Sequence, residues 1–233
     1  MRHVVLVYAL LLMFPRLGGG AQEDVFKSAS ATEDVAPSTD PGSSFWRSAP
    51  AVHAERDSNG AAMPRYRAEI RSRWTKRNLY FLFICPYEQL SLNPAPSTSS
   101  ETFRLWDWDV AEVFIGSDFQ NIQRYKEFEI SPQGEWVDLD IDLTKPHHED
   151  GWIWNSCFNV AARIDPAAKV WYGAMRIPFA ALDSRTPAAG ATYRINLFWS
   201  QREGAKVAWQ PTMSQTFHVP ERFGLLRLVG NAN

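Results

Sequence analysis

Short segments in which apolar and polar residues alternate dominate this chain from residue 69 onward. Residues 136–143 show the pattern most clearly, because every second side chain is apolar and three aspartates stand between them. A two-residue period predicts a strand with one face toward a core. Comparable patterns predict strands at 69–74, 79–84, 110–115, 124–130, 157–164, 169–176, 192–199, 206–209 and 224–229, and a short helical turn at 177–182.

These patterns define the fold class. Many short strands joined by turns, without a helical pattern of ordinary length, predict an all-β fold of the sandwich or barrel type. Within it, the alternation predicts that Phe128 and Ile130 point toward the core while Glu127 and Glu129 point away. The same rule predicts that Leu139 and Ile141 lie inside and that Asp140 faces away from the core.

The N-terminus has the features of a secretory signal. Arg2 and His3 precede an apolar run at 4–14 that is too short to span a bilayer, and small residues follow at 17–21. We expect a signal peptide at 1–21, a secreted or periplasmic protein, and no membrane span after cleavage. Residues 22–44 are rich in Ser, Thr, Ala, Asp and Pro, which predicts a disordered linker before a single domain at 45–230.

The charge balance argues against a nucleic-acid partner. The chain has 24 Lys and Arg residues against 26 Asp and Glu residues. Loss of Arg2 and Arg16 with the signal would leave 22 against 26, a net charge of −4. No basic stripe offsets this excess of negative charge, so no nucleic-acid partner is expected.

Two cysteines, Cys85 and Cys157, are present in a chain expected to enter an oxidising compartment. The sequence provides no distance between them, so a disulfide stays open. Two separate buried thiols are the favoured interpretation, because free cysteine is among the most buried residue types.

The segment Leu105–Ile115 contains the most informative candidate residues. Trp106 and Trp108 alternate with two aspartates and lead into a strand on which Glu112 points away from Val113. Indole faces suit the C–H patches of a pyranose ring, and carboxylates accept hydrogen bonds from its hydroxyls. The alternative is a tryptophan pair that plugs one end of the sandwich. These residues alone leave both interpretations open.

Motifs of nucleophilic, phosphate-binding and dinucleotide-dependent enzymes are absent from the sequence. Several carboxylates could form a glycosidase pair, such as Glu112 with Glu127 or Glu129, but such a pair needs a defined separation that sequence does not supply. The prediction is therefore a non-catalytic protein.

Metal and haem binding have weaker signals. Met175, Met213 and His218 are candidate haem ligands without a C-x-x-C-H motif, so haem is not expected. The segment 147–150, which begins with two adjacent histidines, is better explained as a solvated loop than as a metal site. A structural calcium is the candidate cofactor, and its potential oxygen ligands are Asp107, Asp109, Asp138, Asp140 and Asp142.

A set of ordered motifs carries a family resemblance. The motifs are Asn78–Phe83, Leu105–Ile115, Tyr125–Gly134, Met175–Phe179, Tyr193–Leu197, Trp209–Pro211 and Phe217–Gly224. Together they resemble the family 9 carbohydrate-binding module-like domains, within the wider DOMON-type β-sandwich group, over about residues 45–230. The resemblance implies an antiparallel jelly-roll-like β-sandwich, bound calcium, and an oligo- or polysaccharide partner.

The resemblance also implies how a glycan would bind. In the family a terminal sugar lies between two tryptophans, with acidic and amide side chains around its hydroxyls. Glu112 stands at the carboxylate of the family's V-E-V-F motif, and Asn196 matches an asparagine after a late Arg-Ile pair. Trp209 becomes the candidate for one sandwiching indole, and Trp106 or Trp108 the candidate for the other. The full set of predicted carbohydrate-binding residues is Trp106, Trp108, Asp109, Glu112, Glu127, Asn196 and Trp209.

The chain departs from the family in one respect that affects function. Sugar-binding modules are usually attached to a glycoside hydrolase, whereas no catalytic domain is visible in this sequence. A cell-surface or enzyme partner is therefore expected. The alternatives are a haem-binding electron-transfer module of the same β-sandwich group and a cell-surface structural domain.

Overall fold

The computed structural model describes residues 24–145 and 152–230, so the predicted signal peptide and the segment 147–150 lie outside it. The described residues confirm the all-β prediction. One helical turn, α1 (Phe179–Leu182), lies where a helical turn was predicted. No helix in these ranges is long and apolar enough to cross a membrane. The strands are β1 (Val25–Ser30), β2 (Ala51–Ala54), β3 (Ala68–Trp74), β4 (Asn78–Pro86), β5 (Val110–Gly116), β6 (Arg124–Ile130), β7 (Trp136–Asp142), β8 (Asn159–Asp165), β9 (Val170–Pro178), β10 (Thr192–Ser200), β11 (Lys206–Ala208) and β12 (Gly224–Val229).

These strands form one large, nearly barrel-shaped mixed sheet, consistent with a single β-sandwich domain. The strand order is β7-β6-β5-β10-β12-β1-β3-β4-β9-β8, with β11 beside β10 and β2 beside β3. Most neighbours are antiparallel, but β1 is parallel to both β12 and β3. The purely antiparallel prediction is therefore wrong at β1. No hairpin joins β1 to either neighbour, so turn geometry does not impose an antiparallel direction.

The two halves of the sheet pack on each other around the main core. The rings of Trp171 on β9 and Trp199 on β10 lie 5.4 Å apart, although four strands separate β9 from β10 in the sheet. Phe81, Val113 and Phe128 are fully buried in the same cluster. Their burial follows the predicted alternation, since apolar residues of period two come from both halves.

A second apolar cluster covers the other face of β5, β6 and β7. The strand register places Glu129 opposite Val137 and Glu127 opposite Leu139, so these side chains share a face. Both glutamates point away from the main core as predicted, but the second face is covered and both are buried, whereas Asp140 is exposed as predicted. The period of two identifies the two faces of a strand, but it does not reveal that loops cover the second face.

The folded domain begins earlier than predicted. The expected linker at 22–44 contains β1, whose Phe26 is 1% exposed in the main core. The sequence conceals this strand because Phe26 and Val25 are its only large apolar residues among Lys, Ser and Ala. Neighbouring strands on both sides supply its hydrogen bonds, so tertiary pairing stabilises a segment of weak intrinsic pattern.

The remainder of the expected linker covers the outer face of the other half of the sheet. Trp46 is buried there against a small cluster that includes Tyr80. Asp34 accepts hydrogen bonds from the Tyr80 hydroxyl at 3.1 Å and from Arg77 Nε at 2.7 Å. These contacts attach residues 34–46 to β4 rather than leaving them as a spacer.

The two cysteines are free and differ in environment. Cys85 is buried on β4, and its burial raises the pKa of the thiol well above the ordinary value. Cys157 is exposed before β8, so the prediction of two buried thiols is wrong for Cys157. Its backbone has a φ of 60°, in the left-handed region of a turn, which places it outside the strand predicted there.

Candidate functional site

A cavity of about 260 Å³ opens over the second cluster, on the outer face of β5 and β6. Strand residues form its floor, and residues from three loops form its walls. The lining residues are Trp106, Glu112, Phe114, Glu127, Leu139, Trp152, Ser200, Lys206, Gln215, Thr216, Phe217 and His218. Apolar walls with a few convergent polar groups are typical of a small-molecule site, and this volume is at the small end of the usual range.

Three buried glutamates lie together at the base of the cavity. Glu112 on β5 pairs directly with Glu129 on β6, and Glu127 lies two residues along on the same face. One carboxyl oxygen from each can be chosen so that all three lie within 4.8 Å of one another. Like charges directly opposite each other destabilise a sheet, so this arrangement has an electrostatic cost that packing alone does not require.

Burial raises the pKa of Glu112 well above its usual value, the charge of Glu127 raises it further, and Lys206 opposes the shift. Burial also raises the pKa of Glu129, to which Glu127 and Glu112 add. Within the described residues, neither carboxyl oxygen of Glu129 accepts a hydrogen bond from an N–H or hydroxyl donor. The cluster therefore favours at least one protonated carboxyl group unless a cation is bound.

Aromatic side chains form the walls around these carboxyl groups. Trp106 lies in the turn Leu105–Asp107, half-buried, with the exposed ring of Phe103 edge-on at 5.4 Å. Phe217 stacks on Phe198 at 4.1 Å with nearly parallel rings. Trp152 is buried and contacts the ring of His218 at 5.6 Å. The site thus combines indole and phenyl surface with carboxyl groups.

His218 is fixed in the cavity wall by several contacts. Its Nδ1 lies 2.6 Å from the Tyr125 hydroxyl, and its ring stacks on Phe114 at 5.2 Å. Its Nε2 lies 4.0 Å from a carboxyl oxygen of Glu127. Burial, and then the charge of Glu127, raise the pKa of Tyr125, so this hydroxyl stays protonated and can donate to His218. The histidine therefore presents a defined edge to the cavity.

Three of the predicted site residues line this cavity: Trp106, Glu112 and Glu127. Trp108 lies outside it, under the guanidinium group of Arg202 at 4.5 Å. Asp109 is fully buried and accepts hydrogen bonds from the backbone N–H groups of Ser91 at 3.0 Å and Arg202 at 2.9 Å. Asp109 thereby joins two loops, and its role in the fold is structural.

Asn196 and Trp209 also lie outside the cavity lining. Asn196 is buried, donates to the Gln210 carbonyl at 2.9 Å and accepts from the Gln210 N–H at 3.0 Å. Trp209 contacts Phe26 at 6.1 Å and covers Gly224, where an added Cβ would stand 2.6 Å from the indole. The structure places Trp209 against the main core rather than beside Trp106.

Sequence reasoning missed several lining residues. Trp152, Lys206, Phe217 and Ser200 come from segments far apart in the chain, and His218 was considered only as a haem ligand. Ser200 and Lys206 lie at the ends of β10 and β11, whereas Trp152 and residues 215–218 lie in loops without a periodic pattern that would group them. Their proximity depends on the packing of loops over β5 and β6.

The residues proposed for haem and calcium are dispersed. Met175 is buried in the main core and Met213 is exposed, whereas His218 lies over the opposite face of β5. Asp138 bonds to Ser156, and Asp140 pairs with Lys126 at 2.6 Å. Within the described ranges, the group of His, Cys, Asp and Glu residues close enough to share a metal ion is the glutamate cluster. Calcium binding stays a prediction.

A larger cavity of about 690 Å³ lies elsewhere, between the β3–β4 turn and the segment after α1. Its three arginines have partners, with Arg77 bonded to Asp34, Arg185 bonded to Asp183, and Arg176 bonded to Asn159. Its one aromatic residue, Phe179, is 3% exposed. It therefore presents no aromatic face of useful size to a sugar ring.

Solved structures provide the comparison for this fold. No protein-family profile matches the chain, and a comparison with curated proteins finds no match. A protein from Bacteroides uniformis, provisionally described as carbohydrate-binding, is similar with a TM-score of 0.69 and 14% identity over 89% of this chain and 100% of that chain. At this level of identity the similarity establishes the fold and not the function.

Two further similar structures are of a family 9 carbohydrate-binding module from Caldicellulosiruptor kristjanssonii. The complex with cellotriose has a TM-score of 0.64 and 13% identity, over 90% of this chain and 96% of that chain. The complex with glucose has a TM-score of 0.62 and 12% identity, over 89% and 97% of the two chains. The fold of the present chain is therefore that of known carbohydrate-binding modules.

Proposed function

We propose that this protein binds a carbohydrate, without catalysing a reaction on it, in the cavity over β5 and β6. The observation that carries the proposal is the combination of aromatic walls and carboxyl groups in one open cavity of about 260 Å³. Similar folds that bind glucose and cellotriose support it. The proposal replaces the predicted tryptophan pair, because Trp209 packs on the main core.

The cavity suits a single sugar ring at the end of a chain. The aromatic surfaces of Trp106 and Phe217 offer faces for the C–H side of a pyranose. Glu112 and Glu127 offer acceptors for its hydroxyls, and Gln215 and Thr216 lie at the wall to donate or accept. A shallow site with one ring should bind in the micromolar to millimolar range, since few groups are buried.

The biological setting follows from the N-terminal pattern and from the absence of catalytic motifs in the sequence. We propose a secreted or periplasmic protein that brings a glycan to a cell-surface or enzyme partner. Cell fractionation with a C-terminal epitope, together with N-terminal sequencing of the mature protein, tests this. Retention in the cytoplasm with residues 1–21 intact would contradict it.

Two tryptophan substitutions test the site directly. Trp106→Ala is expected to weaken binding by about tenfold or more, with little change in melting temperature, because a half-buried indole on a cavity wall contributes contact area to the ligand. Trp209→Ala is expected to keep the affinity and to cost about 2 kcal/mol of stability, because it packs on Phe26 and Gly224.

The measurements are calorimetric titration with cellotriose and with any ligand found on a glycan array, and thermal melting of each variant. The reverse pattern, with affinity lost in Trp209→Ala and kept in Trp106→Ala, would contradict the assignment of the cavity.

Glycoside cleavage is the second candidate function, and one observation favours it. Glu112 has a raised pKa beside Glu127, which is the environment of a general acid near a carboxylate. The expected result for a binding protein is no release of reducing sugar from any oligosaccharide that binds. Release of reducing sugar by the wild-type protein, lost in Glu112→Gln, would show that the protein is an enzyme.

A further inference from the structure

The proposed sugar site contains more negative charge than a neutral sugar requires. Glu112 and Glu127 line the cavity, and Glu129 lies behind them at 0% exposure. Hydrogen bonds to sugar hydroxyls need acceptors, which amides and hydroxyls provide without the cost of burying charge. Three adjacent buried carboxyl groups are explained better by a ligand that carries a positive charge.

The environment of the buried Glu129 carboxyl group also indicates a positively charged ligand. Glu129 is fully buried beside the two lining carboxyl groups, and its carboxyl group shares a hydrogen bond with that of Glu127. Neither of its oxygens has an N–H or hydroxyl donor among the residues that the structure describes. Buried polar groups are rarely left in this state unless a ligand or ion completes them. Lys206 lines the same cavity and its charge lowers the pKa of Glu112, so it offsets part of the negative charge of the three carboxyl groups.

We infer that the cavity selects a sugar carrying a primary ammonium group, an amino sugar without an N-acetyl group, whose ammonium lies among Glu112, Glu127 and Glu129. The inference rests on the proposed function and names the substrate class of the same site.

The geometry fits the three hydrogens of an ammonium group. Charge-assisted N–H···O bonds of about 2.8 Å from a tetrahedral nitrogen place three acceptor oxygens about 4.6 Å apart. One oxygen from each carboxyl group lies within 4.8 Å of the other two, and this upper bound is compatible with that spacing. The fourth bond of the nitrogen carries the sugar ring, and Trp106 and Phe217 line the same cavity as the aromatic residues proposed to contact that ring.

The rest of the cavity favours an ammonium group over a metal ion. Calcium requires about six to eight oxygen ligands, and magnesium retains several waters. Phe114 and Leu139 of the floor offer no oxygen ligand from their side chains, and the neutral side-chain oxygens of the lining are those of Ser200, Gln215 and Thr216. Aromatic faces, in contrast, attract organic cations directly.

The test compares three oligosaccharides of equal length that differ only at C2: β-1,4-linked glucose, glucosamine and N-acetylglucosamine. Calorimetric titration of the wild-type protein is expected to show at least about tenfold tighter binding of the glucosamine oligomer than of the glucose oligomer. In Glu129→Gln this ratio is expected to fall toward one. Glu203→Gln removes an exposed carboxylate outside the cavity and is expected to keep the ratio, so it controls for net charge.

The outcomes separate this inference from the proposed function. Equal binding of the glucose and glucosamine oligomers would overturn the inference and leave the carbohydrate site standing. A preference that persists in Glu129→Gln would also overturn it. Binding of none of the three oligomers would overturn both. A rise in melting temperature with calcium or magnesium chloride alone, lost in Glu129→Gln, would show a metal site and overturn the ammonium assignment.

Discussion

Replacing Phe26 with alanine is expected to lower the free energy of unfolding by about 3–5 kcal/mol. The side chain is 1% exposed and contacts the rings of Phe81 at 6.5 Å and Trp209 at 6.1 Å. Its removal leaves a cavity between the two halves of the sheet. Phe26 lies on β1, the only strand in the described ranges that is parallel to both of its neighbours. Urea unfolding at constant pH measures the loss.

Val25→Ala on the same strand is the matched control. Val25 is 36% exposed, so its substitution is expected to cost less than about 1 kcal/mol. A chain that begins at Gly42 should lose cooperative unfolding for the same reason, since it lacks β1. Cooperative unfolding of this shorter chain with an unchanged midpoint would show that residues 24–41 are the linker that the composition predicts.

Glu129→Gln is expected to stabilise the protein above neutral pH, on the order of 1–2 kcal/mol at pH 8. Burial and the neighbouring carboxyl groups raise the folded-state pKa of Glu129. The folded state then holds a proton that the unfolded state releases. Stability should therefore fall as the pH rises from about 4.3, the unfolded-state value, through the raised folded-state pKa. The other ionisable groups near the cluster are Glu112, Glu127, Asp107, Lys206 and His218.

The measurement is the free energy of unfolding at pH 5 and pH 8. The wild-type protein should be more stable at pH 5, and the difference should shrink in Glu129→Gln. Asp140→Asn controls for a carboxylate of the neighbouring strand, because Asp140 is exposed and paired with Lys126. If Glu129→Gln is less stable than the wild-type protein at pH 8, the charge on Glu129 stabilises the fold. The conclusion that folding raises the pKa of Glu129 would then be wrong.

The positions of most strands follow from the sequence, because the period of two persists wherever one face of a strand packs on the main core. β7 shows the limit of this rule. Its apolar residues Val137, Leu139 and Ile141 are buried as predicted, yet on the face opposite to Phe128. Periodicity identifies the two faces of a strand, whereas the choice between two cores depends on register and on the loops above.

β1 shows a different limit. Its side chains other than Phe26 and Val25 are small or polar, and composition alone assigned it to a linker. Pairing with β12 and β3 and the burial of one phenylalanine are tertiary effects, which local propensity does not encode.

The candidate site was predictable on β5 and β6 and in the turn just before β5. Glu112 and Glu127 follow from alternation, and Trp106 follows from its position just before β5. Trp152, Phe217 and His218 come from loops separated by tens of residues, so the sequence offered no reason to group them. Trp209 was assigned by motif, and its contact with Gly224 and Phe26 could not be inferred without the sheet.

Chemical-shift mapping by NMR tests most directly whether the cavity over β5 and β6 binds a sugar. Cellotriose and the glucosamine trimer would be added to ¹⁵N-labelled protein at concentrations up to about 10 mM, which covers the expected weak affinity. We predict shifts concentrated at the backbone amides of Glu112, Glu127 and residues 216–218 and at the indole N–H of Trp106. Shifts concentrated around the larger cavity, at Arg77 and Arg185, or no shifts with either sugar, would contradict the proposed site.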